Sequence, residues 1–195
     1  MIKKIIVLMA LITLVFPLVG CVPSIVLASA ASATLGGAVI YDQRTYRTMN
    51  QDHNARSTIQ YCLDNCPPLK VQSHITVSVF NNVALLVGQT KIPEIRDRAY
   101  QIVEKAPHIR RIYNEITIRS PLSPIQQAVD SWITTKARTA MLGKAGLHSS
   151  NFKVVTENRV VYLLGIVSPR QAAMAADVAR QISGVKKVVK VFEYE

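Results

Sequence analysis

Val83-Ala84-Leu85-Leu86-Val87-Gly88 and Val160-Val161-Tyr162-Leu163-Leu164-Gly165 are one pattern written twice, 77 residues apart. Each is an uncharged apolar run that ends on glycine. Each follows a turn containing asparagine, Asn81-Asn82 in the first copy and Glu157-Asn158-Arg159 in the second. A short unbroken apolar run bounded by turn residues predicts a strand buried on both faces. Beyond the glycine the offset becomes 76: Pro93 meets Pro169, Ile109 meets Val185, and Arg110-Arg111 meets Lys186-Lys187. The chain is therefore organised by an internal repeat of about 65 residues per copy.

The flanks of the run repeat as well. Ile75, Val77 and Val79 alternate with polar residues, which predicts a half-buried strand joined to the buried one as a β-hairpin, and Asn151 to Gly165 repeats it. Pro93 suits the first turn of a helix with Ile95, Ala99, Ile102, Val103 and Ala106 on one face. Pro169 opens its counterpart, whose stripe of Ala172, Ala175, Ala176, Ala179 and Ile182 predicts closer packing on the sheet. A last strand carries Ile112, Asn114, Ile116 and Ile118 in copy one, and Val189 and Val191 in copy two. A shorter helix is expected before each hairpin, near His53 to Leu63 and near Val129 to Leu142. The order helix, strand, strand, helix, strand, taken twice, is an α/β fold of the α+β sandwich class.

The N-terminus is of another kind. The chain has 195 residues, 49% hydrophobic but only 6% aromatic, with a formal charge of +11. That is too apolar for a disordered chain, and long enough for one domain or two small ones. Lys3 and Lys4 precede an uncharged stretch from Ile5 to Val19, the make-up of a signal peptide and too short to span a bilayer comfortably. Leu18-Val19-Gly20-Cys21 fits the lipobox of bacterial lipoproteins. That resemblance implies cleavage before Cys21 and a triacylated N-terminus, an effectively permanent anchor. Val22 stands where Asp would signal inner-membrane retention, so the expected location is the outer membrane, facing the periplasm. Loss of Lys3 and Lys4 leaves 21 basic against 12 acidic residues, or +9. Val22 to Ile40 is uncharged and rich in small and hydroxylated residues, a tether near the lipid surface with a packed small-residue helix as the alternative. Tyr41 to Asp52, polar and mixed in charge, closes it.

The element order, the glycine closing the apolar strand and the segment Gly184-Val185-Lys186-Lys187-Val188 resemble the BON domain of bacterial periplasmic proteins. With a lipobox in front and two copies behind, the whole chain is similar to the dual-BON outer-membrane lipoproteins. The likeness is close in Asp130-Ser131-Trp132-Ile133-Thr134-Thr135-Lys136-Ala137-Arg138 and in Ile182 to Val188. It is weaker in Tyr61-Cys62-Leu63-Asp64-Asn65-Cys66. The chain divides accordingly into a signal peptide (1–20), an acylated N-terminus and tether (21–52), a first BON domain (53–120) and a second (121–195).

Catalysis finds little support. His53, His74, His108 and His148 lie in separate segments, and neither H-E-x-x-H nor Gly-x-Ser-x-Gly occurs. Three cysteines, eight glycines and four histidines give little material for a metal cluster or a phosphate-cradling loop, so neither cofactor nor metal is expected. Cys62 and Cys66, four apart, would have Cα atoms about 6 Å apart on a regular helix, within reach of a disulfide in an oxidising compartment. Free thiols remain the alternative, with metal ligation a minor one.

Charge is shared almost evenly, +4 over residues 53–120 and +5 over residues 121–195. A periplasmic protein rarely meets nucleic acid, so a positive field suits anionic headgroups, unless the basic surface is inert. Val129, Ile133, Ala137, Ala140 and Met141 should face the sheet, leaving Trp132 at the edge of that stripe beside Thr135, Thr139, Lys136 and Leu142. Geometry leaves two readings open: an indole tipped into the interfacial zone of a bilayer, or a core residue sealing the helix. The resemblance implies the first, with anionic phospholipid such as phosphatidylglycerol or cardiolipin bound through Trp132, Ile133, Thr134, Thr135, Lys136, Arg138 and Leu142. Arg138 joins that set by the family match, since it points away from the stripe. The implied role is preservation of envelope integrity, concentrated at the division site. The rival expectation is a protein-binding adaptor or stress chaperone whose exposed strand edges recognise outer-membrane assembly proteins.

Overall fold

Thr45 starts the first helix by accepting the Thr48 N–H on its hydroxyl at 3.2 Å, an N-cap that satisfies one of the unpaired donors of the first turn. In the computed structural model, which describes residues 44–195, α1 runs Tyr46–Asp64 and buries Asp52, Ala55, Ile59 and Leu63. It begins seven residues before the expected start at His53. The first two turns carry no apolar stripe to betray them and are secured by the cap and by Arg44, which reaches Asp52 at 3.1 Å. The signal peptide, Cys21 and the tether through Gln43 lie outside the described residues.

A six-residue helix, α2 (Pro67–Gln72), follows and buries Leu69. Strands β1 (Ser73–Phe80) and β2 (Val83–Thr90) pair antiparallel, α3 (Pro93–Glu104) crosses over, and β3 (Arg111–Ile118) pairs parallel to β2. The second copy repeats this with α4 (Pro124–Leu142), β4 (Phe152–Glu157), β5 (Val160–Val167), α5 (Pro169–Arg180) and β6 (Lys187–Tyr194). Helix α4 starts five residues before Val129, because Ser123 and Gln126 form a capping box around Pro124.

Both hairpin turns have two central residues, and all four take positive φ: Asn81 50°, Asn82 60°, Asn158 50° and Arg159 63°. This conformation suits the right-handed twist of the strands and favours asparagine. β2 and β5 do not stop at their glycines but continue to Thr90 and Val167. A Cβ at Gly88, whose φ is +134°, would lie 1.9 Å from the His74 carbonyl oxygen, and one at Gly165 would lie 2.4 Å from that of Asn151. The glycines allow a close backbone approach within the hairpin rather than ending the strand.

Each sheet is covered on one face by its own helices. Ala84 and Leu86 point to Ile59, Ala99 and Val103, while Val161 and Leu163 point to Ile133, Ala137 and the alanines of α5. The opposite faces stack on each other, with Phe80, Val83, Leu85 and Val87 against Tyr162, Leu164 and Val191. The layers run helix, sheet, sheet, helix. Polar ties cross the junction: Gln89 Nε2 donates to Glu157 at 2.6 Å, Asn81 Nδ2 to Glu193 at 2.7 Å, and Lys153 Nζ to the Val79 carbonyl at 3.1 Å. Val189 and Val191 face this junction, whereas Val188 and Phe192 pack under the helices, as Ile112 and Ile116 do in copy one. Val189 and Val191 thus lie one residue out of register with the Ile112 series, which on a strand puts them on the other face.

Cys62 is exposed on α1, and Cys66, at the N-cap of α2, packs against the first core; both thiols are free. The chain turns at Asn65 between them and carries Cys66 inward, and the two are not bonded in this structure.

Candidate functional site

Helix α4 is fastened by polar side chains at four-residue spacing. Asp130, 5% exposed, accepts the Asn158 N–H at 2.6 Å and the Arg159 N–H at 2.8 Å, gathering both donors of the β4–β5 turn onto one carboxylate. Thr134 donates to Thr156 Oγ1 at 2.8 Å, and Arg138 donates to the Val154 carbonyl at 3.0 Å. Beside this rail, Ile133, Ala137 and Met141 are buried. Ile133 is fully enclosed, so its expected place among lipid-contacting residues is corrected: at 100° per residue it lies in the middle of the stripe that faces the sheet, and its side chain belongs to the second core. Thr134 is half-buried with its hydroxyl engaged, and Arg138 uses one nitrogen to hold β4.

The outward face carries the remaining residues of the set. Trp132 is 47% exposed and Leu142 62%. Lys136 places its Nζ 4.1 Å from the centroid of the Trp132 ring, a cation–π contact across one turn. Thr135 is exposed and donates to the Ser131 carbonyl at 3.0 Å, satisfying its hydroxyl within the helix. Ile125, 78% exposed, was not singled out from the sequence. It lies two turns before Trp132 and about 20° around the axis, so an i, i+7 search from the tryptophan finds it. Asp130 is the only carboxylate in α4 and it is buried, which leaves the outward face without a negative charge. Among the described residues, no helix is long and apolar enough to cross a membrane, and no three His, Cys, Asp or Glu are grouped to hold a metal ion.

Arg138 and Lys153 also border a cleft of about 480 Å³ between the domains, walled by α1 and α4 and floored by β1 and β4. Burial first, then the Arg56, Arg44 and Arg138 guanidiniums, lower the Lys153 ammonium to about 8 against the opposing pull of Asp52. The floor is formed by edge strands, and several of their outward backbone groups are already occupied. Gln60 donates to the Ile75 carbonyl and accepts from the Val77 N–H, Lys153 takes the Val79 carbonyl, and Arg138 takes that of Val154. These contacts occupy part of the outward edges of β1 and β4, while β3 and β6 form the other edge of each sheet.

The description "BON domain" matches residues 52–120 and 129–195. The chain is 33% identical over 175 residues to a protein named outer membrane lipoprotein DolP from Haemophilus influenzae, covering 90% of this chain and 89% of that one. It is 35% identical over 153 residues to a 21 kDa hemolysin of Actinobacillus pleuropneumoniae, covering 78% and 79%. A solved structure of CdsD, a structural protein of the type III secretion system of Chlamydia trachomatis, covers 70% of this chain and 90% of its own at 11% identity and a TM-score of 0.31, too distant a likeness to carry argument.

Proposed function

Since the chain belongs to the BON-domain family and is an outer-membrane lipoprotein, we propose that its second domain binds anionic phospholipid through the outward face of α4, and that this contact supports envelope integrity, at the division site in particular. The carrying observation is the exposed Trp132 with Lys136 stacked on it, on a helix face without a carboxylate. An indole at the headgroup level suits the wet edge of a bilayer, and a lysine near an anionic surface contributes about 1 kcal/mol. Leu142 and Ile125 add apolar area on either side. A relative named a hemolysin is compatible with a surface that meets membrane. The role is one of binding, not of catalysis.

The test is sedimentation of residues 43–195 with vesicles of graded phosphatidylglycerol or cardiolipin content. Binding should rise with anionic fraction, fall in high salt, and drop at least tenfold in Trp132→Ala and in Lys136→Glu. Binding indifferent to lipid charge and to both substitutions would overturn the reading in favour of a protein-recognising adaptor of outer-membrane assembly.

A further inference from the structure

The cleft between the domains holds an unusual concentration of positive charge. Arg56 of α1, Arg138 of α4 and Lys153 of β4 line it from both domains, together with Arg44 and His53. Its one carboxylate, Asp52, is already committed to the Asn81 and Asn82 N–H groups at 2.6 and 2.8 Å and to Arg44 at 3.1 Å. Among the described residues, Arg56, Arg138 and Lys153 form no ion pair. Folding thus brings three cations together, one of them partly desolvated, with only the already engaged Asp52 to offset their repulsion. Guanidiniums and an ammonium converging from two sides are the donors that a tetrahedral oxyanion accepts, by fork-shaped contacts from arginine and a point charge from lysine.

We propose that this cleft is a binding site for a phosphate-bearing anion, which bridges Arg56 of the first domain and Arg138 and Lys153 of the second. The bound anion supplies further counter-charge and braces the two domains against each other. The volume of about 480 Å³ exceeds what a phosphate alone requires and leaves room for the alcohol it esterifies. Next to it, sharing Arg138 and Lys153, lies an apolar recess of about 290 Å³ formed by Met141, Leu142, Phe152 and Val154. A free phosphate ester would use the cleft alone, whereas a phospholipid would add an acyl segment in the recess. The site meets the outward face of α4 only at Leu142, and Trp132 and Lys136 take no part in it.

The experiment uses residues 44–195, which contain both cores. Its thermal midpoint and its calorimetric binding are followed with inorganic phosphate, glycerol 3-phosphate and monomeric dihexanoyl-phosphatidylglycerol, against chloride at matched ionic strength and dihexanoyl-phosphatidylcholine. Phosphate and glycerol phosphate should raise the midpoint saturably where chloride does not. Arg56→Gln, an exposed position whose loss leaves both cores intact, and Lys153→Met should each weaken phosphate and glycerol-phosphate binding at least tenfold, while Trp132→Ala binds these two as wild type. Tighter binding of the short-chain lipid than of glycerol phosphate by tenfold or more, lost in Leu142→Ser, identifies a lipid headgroup as the source. Equal binding identifies a soluble phosphate ester. Stabilisation no greater than that of chloride, or wild-type affinity in the folded Arg56→Gln and Lys153→Met variants, would overturn the proposal. Failure of the membrane-surface reading has a separate signature, vesicle binding unaffected by Trp132→Ala, so the two stand or fall independently.

Discussion

Helices α1 and α4 are the same element of the repeat, and they differ in what they turn outward. Asp52 and Asp130 do one job, each holding both N–H groups of its own hairpin turn at 2.6 and 2.8 Å. Two turns later Gln60 and Arg138 also correspond, each bonded to the backbone of the following edge strand. With this alignment, Trp132 and Lys136 in the second copy stand where the first has Asn54 and Thr58, and Ile125 stands where it has Arg47. The inward half of the helix is thus held constant by the fold, because a turn with two positive-φ residues needs its donors satisfied wherever it occurs. The outward half is free to diverge, and in the second copy it has acquired an indole, a stacked lysine and exposed aliphatics. That difference is the reason the proposed surface contact is placed in domain 2.

The strongest test of equivalence is Asp52→Ala against Asp130→Ala. Each leaves two turn N–H groups without their carboxylate, and each should cost about 3 kcal/mol in urea unfolding of residues 43–195. A loss below about 1 kcal/mol at one site alone would break the equivalence of the two helices. Next in size is the exchange of outward faces. Trp132→Ala should lower affinity for anionic vesicles at least tenfold with little change in stability, because the side chain is half exposed. Adding Asn54→Trp and Thr58→Lys to that variant should recover part of the binding through α1. No recovery would mean that the position of α4 in the molecule matters as well as its composition.

The part of this comparison that could be read from sequence is the inward part. The runs at Val83 and Val160 gave the central strands, and the 3.6-residue stripes gave α3 and α5, because burial imposes periodicity on residue type. Tyr46 to Gln51 give no such signal, because an exposed helical turn held by a threonine cap leaves no apolar signature. Ile133 was grouped with its neighbours through the resemblance of the whole Asp130 to Arg138 segment, although periodicity alone had already put it in the core. The inter-domain cleft was not legible at all, since Arg56, Arg138 and Lys153 lie in three separate elements and converge only when the two sheets stack.

Two smaller effects refine the contrast. Lys153 has its folded-state value lowered from 10.5 to about 8 by burial and by Arg56, Arg44 and Arg138, opposed by Asp52. Below pH 8 both folded and unfolded chains carry the proton, and the native state bears the unfavourable charge. Between pH 8 and 10.5 the unfolded chain keeps a proton that the folded one has lost, so stability rises with pH. Solvent screening of this partly exposed group should hold the gain to about 1 kcal/mol. Comparing the unfolding of wild type and Lys153→Met across that range isolates it; parallel curves would place Lys153 in water rather than in the cleft.

Smallest is the contribution of Ile125. At the bilayer, an aliphatic side chain of this kind is worth about 0.3–0.6 kcal/mol, so Ile125→Ser should weaken vesicle binding about twofold, measured by the same sedimentation. The value of so slight an effect is directional. Ile125 and Trp132 lie two turns apart on nearly one line of α4, so both matter only if the helix lies flat on the surface. Leu142 lies about 80° away from Trp132 around the axis and near the C-terminal end. If Ile125→Ser has no effect while Leu142→Ser weakens binding, the helix meets the membrane by its C-terminal tip and tilts the cleft beside Arg138 toward the headgroups.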